Sequence, residues 1–267
     1  MSGSIAFDNS GTLSEPTVVA TALIDGYEWA TPVPGADPDR GRIALLSIDH
    51  DSVDALRTDV PIGPAIERGD VPTYLALANV EVTPGEAREA LLAERETPAL
   101  VVPDHADRAI DVAPASGTQS AGAQLVVDLD AERAVKVFGY TVTPRAAAPE
   151  VVKWAERAGL EPHIVSGDSE PVLQSIAETV GIPTGNVHPY QSADDKRRTV
   201  EALADPVVMV GDYVNDRFAF EVADAAILVA GEDGFHEALR DRVDVETPTL
   251  SALPSAVELR ELVGKTA

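Results

Sequence analysis

Four short polar segments carry residue types that can transfer a phosphoryl group. The first, Asp8-Asn9-Ser10-Gly11-Thr12-Leu13, directly follows the apolar run Ile5-Ala6-Phe7. A carboxylate at the end of a buried strand can attack phosphorus, and the backbone N–H groups of a tight glycine turn can hold phosphate oxygens. This segment predicts an aspartate nucleophile at Asp8, provided that the rest of the chain supplies the partners that such a carboxylate needs.

The other three segments contain those partners. Two of them, Ser166-Gly167-Asp168 and Gly211-Asp212-Tyr213-Val214-Asn215-Asp216, each follow an apolar run, and the third contributes Lys196. Mg²⁺ prefers carboxylate, carbonyl and phosphate oxygens, so we expect Asp8, Asp212 and a backbone carbonyl near Ser10 to bind it. Lys196 can neutralise the phosphate and the nucleophile. Ser166 and the following N–H, that of Gly167, can bind phosphate oxygens.

Alternating strands and helices must bring these segments together. Short apolar strands separated by amphipathic helices predict a parallel sheet that is covered on both faces, and the carboxyl ends of such strands meet at one edge. Ser192, with Asp195 three residues later, predicts the start of the helix that carries Lys196. The predicted strands are 162–165, 207–210 and 226–229, and the predicted helices are 145–158, 171–180, 194–203 and 218–222.

The region from residue 16 to residue 140 has a different pattern. Strand-like runs at 43–48, 99–102, 125–127 and 135–138 surround a helix that Thr83-Pro84-Gly85-Glu86 predicts as a capping box with proline in its first turn. We expect a loop at 113–122 and a linker at 30–41. The predicted fold class is therefore α/β: a Rossmann-like core of residues 1–15 and 141–267, with residues 16–140 inserted as a smaller α+β domain.

Composition limits the partners. The chain of 267 residues has 45 acidic and 20 basic side chains, a formal net charge of −25, and no cysteine. This acidic excess disfavours binding to nucleic acid or to anionic membranes, and its spread along the chain favours a halophilic, haloarchaeal cytoplasmic protein over an ordinary acidic one. Without cysteine, disulfides and thiolate chemistry are excluded. No apolar run approaches a membrane span, and the amino terminus has no pattern of a secretion signal.

The order of the four segments resembles the haloacid dehalogenase superfamily, and within it the phosphorylation domain of P-type ATPases. The family's loop Asp-Lys-Thr-Gly-Thr-Leu-Thr corresponds here to Asp8-Asn9-Ser10-Gly11-Thr12-Leu13-Ser14, and the likeness covers residues 4–14 and about 141–229. The resemblance implies that the inserted residues 16–140 form a cap or nucleotide-binding-like domain. It also implies Asp8 as nucleophile and Lys196 as its stabilising cation. It implies Asp8, Ser10, Asp212 and Asp216 around Mg²⁺, and phosphate contacts from Thr12, Ser166, Gly167 and Asn215.

Two departures from this pattern leave the function open. Ser10 stands where most phosphatases of the superfamily have an Asp that acts as general acid and base, and a serine hydroxyl is a poor proton donor at neutral pH. Asn9 replaces a lysine, which removes a cation beside the nucleophile. The leading expectation is an Mg²⁺-dependent hydrolase of a small phosphate ester or of ATP that works through phosphorylated Asp8. The alternatives are a slow or inactive phosphate- or nucleotide-binding module, and a catalytic subunit of a transporter.

Overall fold

The computed structural model describes residues 3–24, 41–114, 121–230 and 235–256. The strands are β1 Gly3–Phe7, β2 Ser14–Ala22, β3 Ile43–Ile48, β4 Thr73–Ala78, β5 Ala121–Asp128, β6 Arg133–Pro144, β7 Leu160–Val165, β8 Val187–His188, β9 Val207–Gly211, β10 Ala225–Val229 and β11 Val245–Thr247. The α-helices are α1 Ile62–Gly69, α2 Pro84–Ala93, α3 Val101–Val112, α4 Ala148–Ala158, α5 Glu170–Val180, α6 Ala193–Ala202, α7 Arg217–Val222 and α8 Leu253–Ala256. The chain forms two compact units, Met1–Glu15 with Pro144–Ala267, and Pro16–Thr143.

The first unit is built on a parallel sheet. Its strand order is β11-β10-β9-β1-β7-β8, so β1 lies in the middle between β9 and β7. Every residue of β1 and of β9 is buried, as expected of strands that are covered on both faces. On one face the sheet packs against Val200 of α6 and Phe220 of α7, and α4 packs against β7. The predicted α/β class, with helices around a parallel sheet, is confirmed.

The second unit contains an antiparallel sheet with the order β2-β6-β5-β3-β4. Alternate residues of its central strands, such as Leu46 of β3 and Leu125 of β5, enter a core that also contains Ile66 of α1 and Leu91 of α2. The other face of the sheet is partly apolar as well, since it buries Val126 of β5 in a smaller cluster. The predicted additional α+β part of the chain is therefore present.

Several helix ends follow the chemistry of the local sequence. Thr83 and Glu86 form the predicted capping box at the start of α2, and Ser192 and Asp195 form the one at the start of α6. The helix α4 ends at Gly159, whose φ of 86° is a left-handed conformation that glycine adopts without a steric penalty.

Within the described residues, no helix has the length and apolar character that crossing a membrane requires.

Three predictions about elements were wrong or incomplete. The apolar run 99–102 is not a strand: residues 99–100 form a turn and residues 101–102 begin α3. The helix forms because Val102, Ala106 and Ala109 recur with a helical period and bury one face. The helix predicted from Arg145 begins at Ala148, since Pro144 still belongs to β6 and the N–H of Arg145 donates to Leu13 O. The predicted linker and loop lie mostly outside the described residues, at 30–40 and 115–120.

Candidate active site

The predicted site residues lie at one edge of the parallel sheet. Asp8 directly follows β1, Ser166 directly follows β7, and Asp212 directly follows β9. Because β1 pairs with both β7 and β9, the three strand ends are neighbours. This is the edge at which open parallel sheets bind their ligands.

Lys196 connects two carboxylates at the centre of this edge. Its Nζ lies 2.6 Å from Asp8 Oδ1 and 2.7 Å from Asp216 Oδ1, and the lysine side chain has no exposed surface. A lysine is buried so completely only when its charge is paired and hydrogen-bonded. The capping box of α6 fixes the first turn of the helix and thereby the position of Lys196.

The electrostatics of the cluster favour a further cation. Burial raises the pKa of Asp8 to about 7; Lys196 opposes this shift and Asp216 adds to it. Burial, followed by the charge of Asp8, also raises the pKa of Asp212 well above its usual value. Burial alone would lower the pKa of Lys196, but Asp216 and Asp8 outweigh it and the pKa rises, so the ammonium keeps its proton. One ammonium faces three crowded carboxyl groups, and a divalent cation would relieve their repulsion.

The donor set fits Mg²⁺. One oxygen from each of Asp8, Asp212 and Asp216 lies within 4.8 Å of the others, the one such triad of ligand groups in the described part of the chain. In addition, Asn215 Oδ1 is buried and has no hydrogen-bond partner among the described residues. Hard oxygen ligands of this kind suit Mg²⁺ and do not suit a metal that prefers sulfur or imidazole.

The nucleophile loop is shaped by its glycine and threonine. Gly11 has a φ of 93°, and a Cβ at this position would collide with the carboxylate of Asp212, so only glycine fits. Thr12 Oγ1 donates to Asp212 Oδ1 at 2.8 Å. The Thr12 hydroxyl, which was predicted to bind phosphate, therefore orients Asp212, a predicted metal ligand. Ser10 is partly exposed, whereas its neighbour Asn9 is buried.

Asn9 is a buried connector that the sequence interpretation missed. Its Nδ2 donates to Asp168 Oδ2 at 2.8 Å, and its Oδ1 accepts from Ser14 Oγ at 2.9 Å. Ser166 Oγ also donates to Asp168 Oδ2, at 3.0 Å. The serine predicted to bind phosphate thus holds an aspartate that is tied to the nucleophile loop. The signal in the sequence was the departure at position 9, where an amide replaces the family's lysine.

Arg145 is a second missed contact of the loop. Its Nη2 donates to Gly11 O at 3.0 Å and its backbone N–H donates to Leu13 O at 2.9 Å. Arg145 directly follows β6 in sequence, and its two bonds hold the turn after Asp8 in place. No local pattern pointed to this role, because the pattern around residue 145 predicts a helix.

Two predicted positions remain, Gly167 and Asn215. Gly167 separates the two members of the Ser166–Asp168 hydrogen bond, and a Cβ on it would lie 3.3 Å from Gln191 O. Asn215 lies in the short 3₁₀ helix Val214–Asp216, next to Asp216. The structure therefore brings Asp8, Thr12, Lys196, Asp212 and Asp216 together in one cluster, and it groups Ser166 with Asp168 and Asn9.

Part of the chain is similar in sequence to transport ATPases. The chain is similar to the probable copper-transporting ATPase SynA of Synechococcus, with 31% identity over 136 residues, which is 48% of this chain and 17% of that protein. It is also similar to the zinc-transporting ATPase of Bacillus subtilis, with 33% identity over 89 residues, which is 33% of this chain and 14% of that protein. The chain thus spans less than a fifth of the length of these curated relatives.

Solved structures give weaker likenesses. A zinc-transporting PIB-type ATPase is 18% identical with a TM-score of 0.44, covering 99% of this chain and 41% of that chain. A 3-deoxy-D-manno-octulosonate 8-phosphate phosphatase of Moraxella catarrhalis is 17% identical with a TM-score of 0.35, covering 48% of this chain and 73% of that one. The model of the haloacid dehalogenase-like hydrolases matches residues 4–224, which is most of the chain. The chain therefore belongs to the haloacid dehalogenase-like hydrolase family.

Proposed function

We propose that the protein is an Mg²⁺-dependent phosphohydrolase that forms an aspartyl-phosphate on Asp8. The observation that carries this proposal is the buried ion-paired chain Asp8–Lys196–Asp216, with Asp212 beside it. A structural role alone would not require three carboxyl groups to crowd around one ammonium at the ligand-binding edge of the sheet, where burial and repulsion raise the pKa values of Asp8 and Asp212.

The hydrogen bond from Lys196 supports one choice of attacking atom. Lys196 holds Asp8 Oδ1, so Asp8 Oδ2 is the oxygen that would attack phosphorus. The new O–P bond forms as the bond from phosphorus to the leaving oxygen breaks, and the electron pair of that bond goes to the leaving oxygen. Lys196 holds the nucleophile in place and offsets negative charge beside it.

Asp8, Asp212, Asp216 and the carbonyl of Ser10 would hold Mg²⁺, which when bound supplies charge neutralisation between the phosphate and the carboxylates. The N–H of Gly167 after Ser166 would help to shape the phosphate site. The N–H groups of Gly11 and Thr12 instead donate to Ser14 O and Asn9 O and so close the turn. Arg145 and Asn9 would keep the turn in place through their bonds to Gly11 O and Asp168.

Ser10 supports slow release of the phosphate from Asp8. A carboxyl group at this position would activate water and protonate the leaving group, whereas a hydroxyl does neither efficiently at neutral pH. We therefore propose that formation of the phospho-enzyme is faster than its hydrolysis. The same residue supports the second candidate, a phosphate- or nucleotide-binding module with little turnover, in which Mg²⁺ and ligand bind but Asp8 is not phosphorylated.

The phosphate donor is either a small phosphate ester or ATP. The likeness of about half of the chain to transport ATPases supports ATP, and an association with a transporter would follow from the same likeness. We propose a cytoplasmic location at high salt, for which the net charge of −25 is the support. The charge also argues against nucleic acid as a partner.

An assay of phosphate release tests the proposal. The wild-type chain is incubated with Mg²⁺ and either an aryl phosphate or ATP, and Asp8→Asn is compared with Asp194→Asn. Asp194 is the matched control because it lies on α6 two residues before Lys196 and its side chain is 62% exposed. We expect Asp8→Asn to abolish the release and Asp194→Asn to preserve it. Equal activity in both variants would exclude Asp8 as the nucleophile.

A further inference from the structure

Two histidines form a pair at the edge of the parallel sheet, outside the carboxylate cluster. His163 lies on β7 and His188 on the edge strand β8, and the register pairs His188 with Val165. Paired residues point to the same face of a sheet, and so do residues two apart on one strand. Both imidazoles therefore project from the same face, and hydrogen-bonded backbone fixes their spacing.

The distance between the rings suits a shared metal ion. His163 Nδ1 lies 3.3 Å from His188 Nε2, a long hydrogen bond between the two rings. Two imidazole nitrogens that bind one tetrahedral ion at ~2.05 Å are about 3.3 Å apart. The rings are inclined by 29°, and rotation about χ2, which is a soft torsion in histidine, can turn both lone pairs towards one ion.

The surroundings also favour a cation here. Burial lowers the pKa of both His163 and His188, so both rings are neutral and keep the lone pairs that a metal needs. Glu161 lies two residues before His163 on the same face of β7, and its charge favours positive charge at that ring. His188 is partly exposed, which leaves room for water to complete the coordination.

We propose that His163 and His188 form a binding site for a divalent transition-metal ion such as Cu²⁺ or Zn²⁺, separate from the Mg²⁺ site. Imidazole nitrogen suits these ions, whereas Mg²⁺ prefers oxygen, so the two sites select different metals. Neither histidine belongs to the carboxylate cluster at Asp8, and the proposal does not depend on phosphoryl transfer.

The site would act on the segment next to the carboxylate cluster. Ser166 N donates to His188 O at 3.1 Å, and Gln191 N donates to Ser166 O at 3.0 Å. A metal that joins β7 to β8 would therefore hold the strand end that carries Ser166, and with it the turn that leads to α6. The expected consequence is local stabilisation of the β7–β8 pair.

Electron paramagnetic resonance of bound Cu²⁺ tests the site directly. One equivalent of Cu²⁺ is added to the full chain in excess Mg²⁺, which occupies the carboxylate cluster. We expect hyperfine coupling to two imidazole nitrogens in the wild type. His188→Asp keeps a metal ligand but should reduce the coupling to one nitrogen, and His188→Gln should weaken the affinity at least about tenfold.

The matched control is His50→Gln, since His50 lies in the second unit on the 3₁₀ helix His50–Leu56. Its spectrum should be that of the wild type. A wild-type spectrum without nitrogen coupling would overturn the proposal, as would a two-nitrogen spectrum that survives His188→Asp. Titration of the wild type with Zn²⁺ needs no variant: ring ¹⁵N signals of two histidines should shift together, and unshifted signals would contradict the site.

Discussion

Replacing Lys196 by methionine would remove the cation between Asp8 and Asp216 while keeping most of the side-chain volume. The ammonium lies 2.6 Å and 2.7 Å from the two carboxylates, and none of the three side chains is more than 5% exposed. Removing one partner of such a buried pair costs about 3–5 kcal/mol, because an uncompensated charge stays behind. We therefore expect the free energy of unfolding of the first unit to fall by about this amount at neutral pH.

Denaturant unfolding measures this loss. Trp154 on α4 reports on the first unit, and replacing the chain's other tryptophan, Trp29, by phenylalanine isolates its fluorescence. The matched control is Lys153→Met. Lys153 also forms an ion pair, with Glu150 at 2.9 Å, but the two side chains are 57% and 70% exposed. Water and salt screen exposed pairs, so this variant should unfold nearly as the wild type does.

The pH dependence sharpens the test. The penalty in Lys196→Met should shrink as the pH falls below about 7, because protonation removes the unpaired charge on Asp8. Circular dichroism serves as a second probe, since Lys153 adjoins the fluorescent residue. If Lys196→Met and Lys153→Met lose equal stability at neutral pH, the reasoning from burial and charge is refuted.

Four further predictions concern the loop, the metal and the surface. Ser10→Asp should speed hydrolysis of the phospho-enzyme by roughly 10²–10⁴-fold, because the new carboxyl group can act as a general base. The measurement is the decay of labelled phosphate on the protein after the phosphate donor is removed. Because burial raises the pKa of Asp8 to about 7, Mg²⁺ binding should release a proton below that pH. The affinity for Mg²⁺ should therefore increase as the pH rises towards 7. Calorimetry in buffers of different ionisation enthalpy measures the proton release. Asn9→Ala should destabilise the first unit by about 2–3 kcal/mol, since it removes a donor from the buried Asp168, whereas Ser14→Ala should cost about 1 kcal/mol. Finally, the net charge of −25 predicts that molar KCl raises the thermal unfolding temperature, because salt screens self-repulsion.

Each of these predictions has its own contrary result. An unchanged decay rate in Ser10→Asp would show that the absent carboxyl group does not limit hydrolysis, and Ser10→Thr is the control that keeps the hydroxyl. Mg²⁺ binding that releases no proton at pH 6 would contradict the raised pKa of Asp8, as would proton release that persists in Asp8→Asn. Equal losses in Asn9→Ala and Ser14→Ala would mean that the bond to Asp168 adds nothing. A falling unfolding temperature in KCl would contradict the argument from charge.

The same pKa predicts how stability varies with pH in the absence of metal. The pKa of Asp8 is raised in the folded state from 3.8 to about 7, so the folded state binds the proton more tightly than the unfolded state does. Its contribution to stability is therefore fully present below about pH 4 and is lost as the pH rises to about 7. We expect Mg²⁺ to oppose this loss, because a bound cation would stabilise the ionised carboxylate.

The sequence was most informative where a strand is short and wholly buried. Such strands read as continuous apolar runs, so the ends of β1, β7 and β9 could be found and the polar residues after them could be placed together. The capping boxes of α2 and α6 could also be predicted, because the hydrogen-bonding residues of each box lie within four positions in sequence. By contrast β2, which is largely exposed, shows no clear alternation in its sequence and was not predicted.

The missed contacts share a physical cause. Asn9 meets Asp168 across 159 residues of sequence, and such a contact depends on the order of the strands in the sheet, which a single chain's pattern does not define. The apolar run 99–102 is short enough to suit a strand or a helix equally, and only its packing in the second unit selects α3. Arg145 was placed in a helix for a similar reason, since its bond to Gly11 O depends on tertiary structure.

The covalent state of Asp8 tests the central proposal most directly. The chain is incubated with Mg²⁺ and a phosphate donor, quenched in acid and reduced with borohydride, which converts an aspartyl-phosphate to homoserine. Mass spectrometry of the amino-terminal peptide should then find homoserine at position 8, and hydroxylamine treatment before reduction should abolish it. An unmodified Asp8 with every donor, while Mg²⁺ and phosphate still bind, would contradict phosphoryl transfer to Asp8 and leave a binding module.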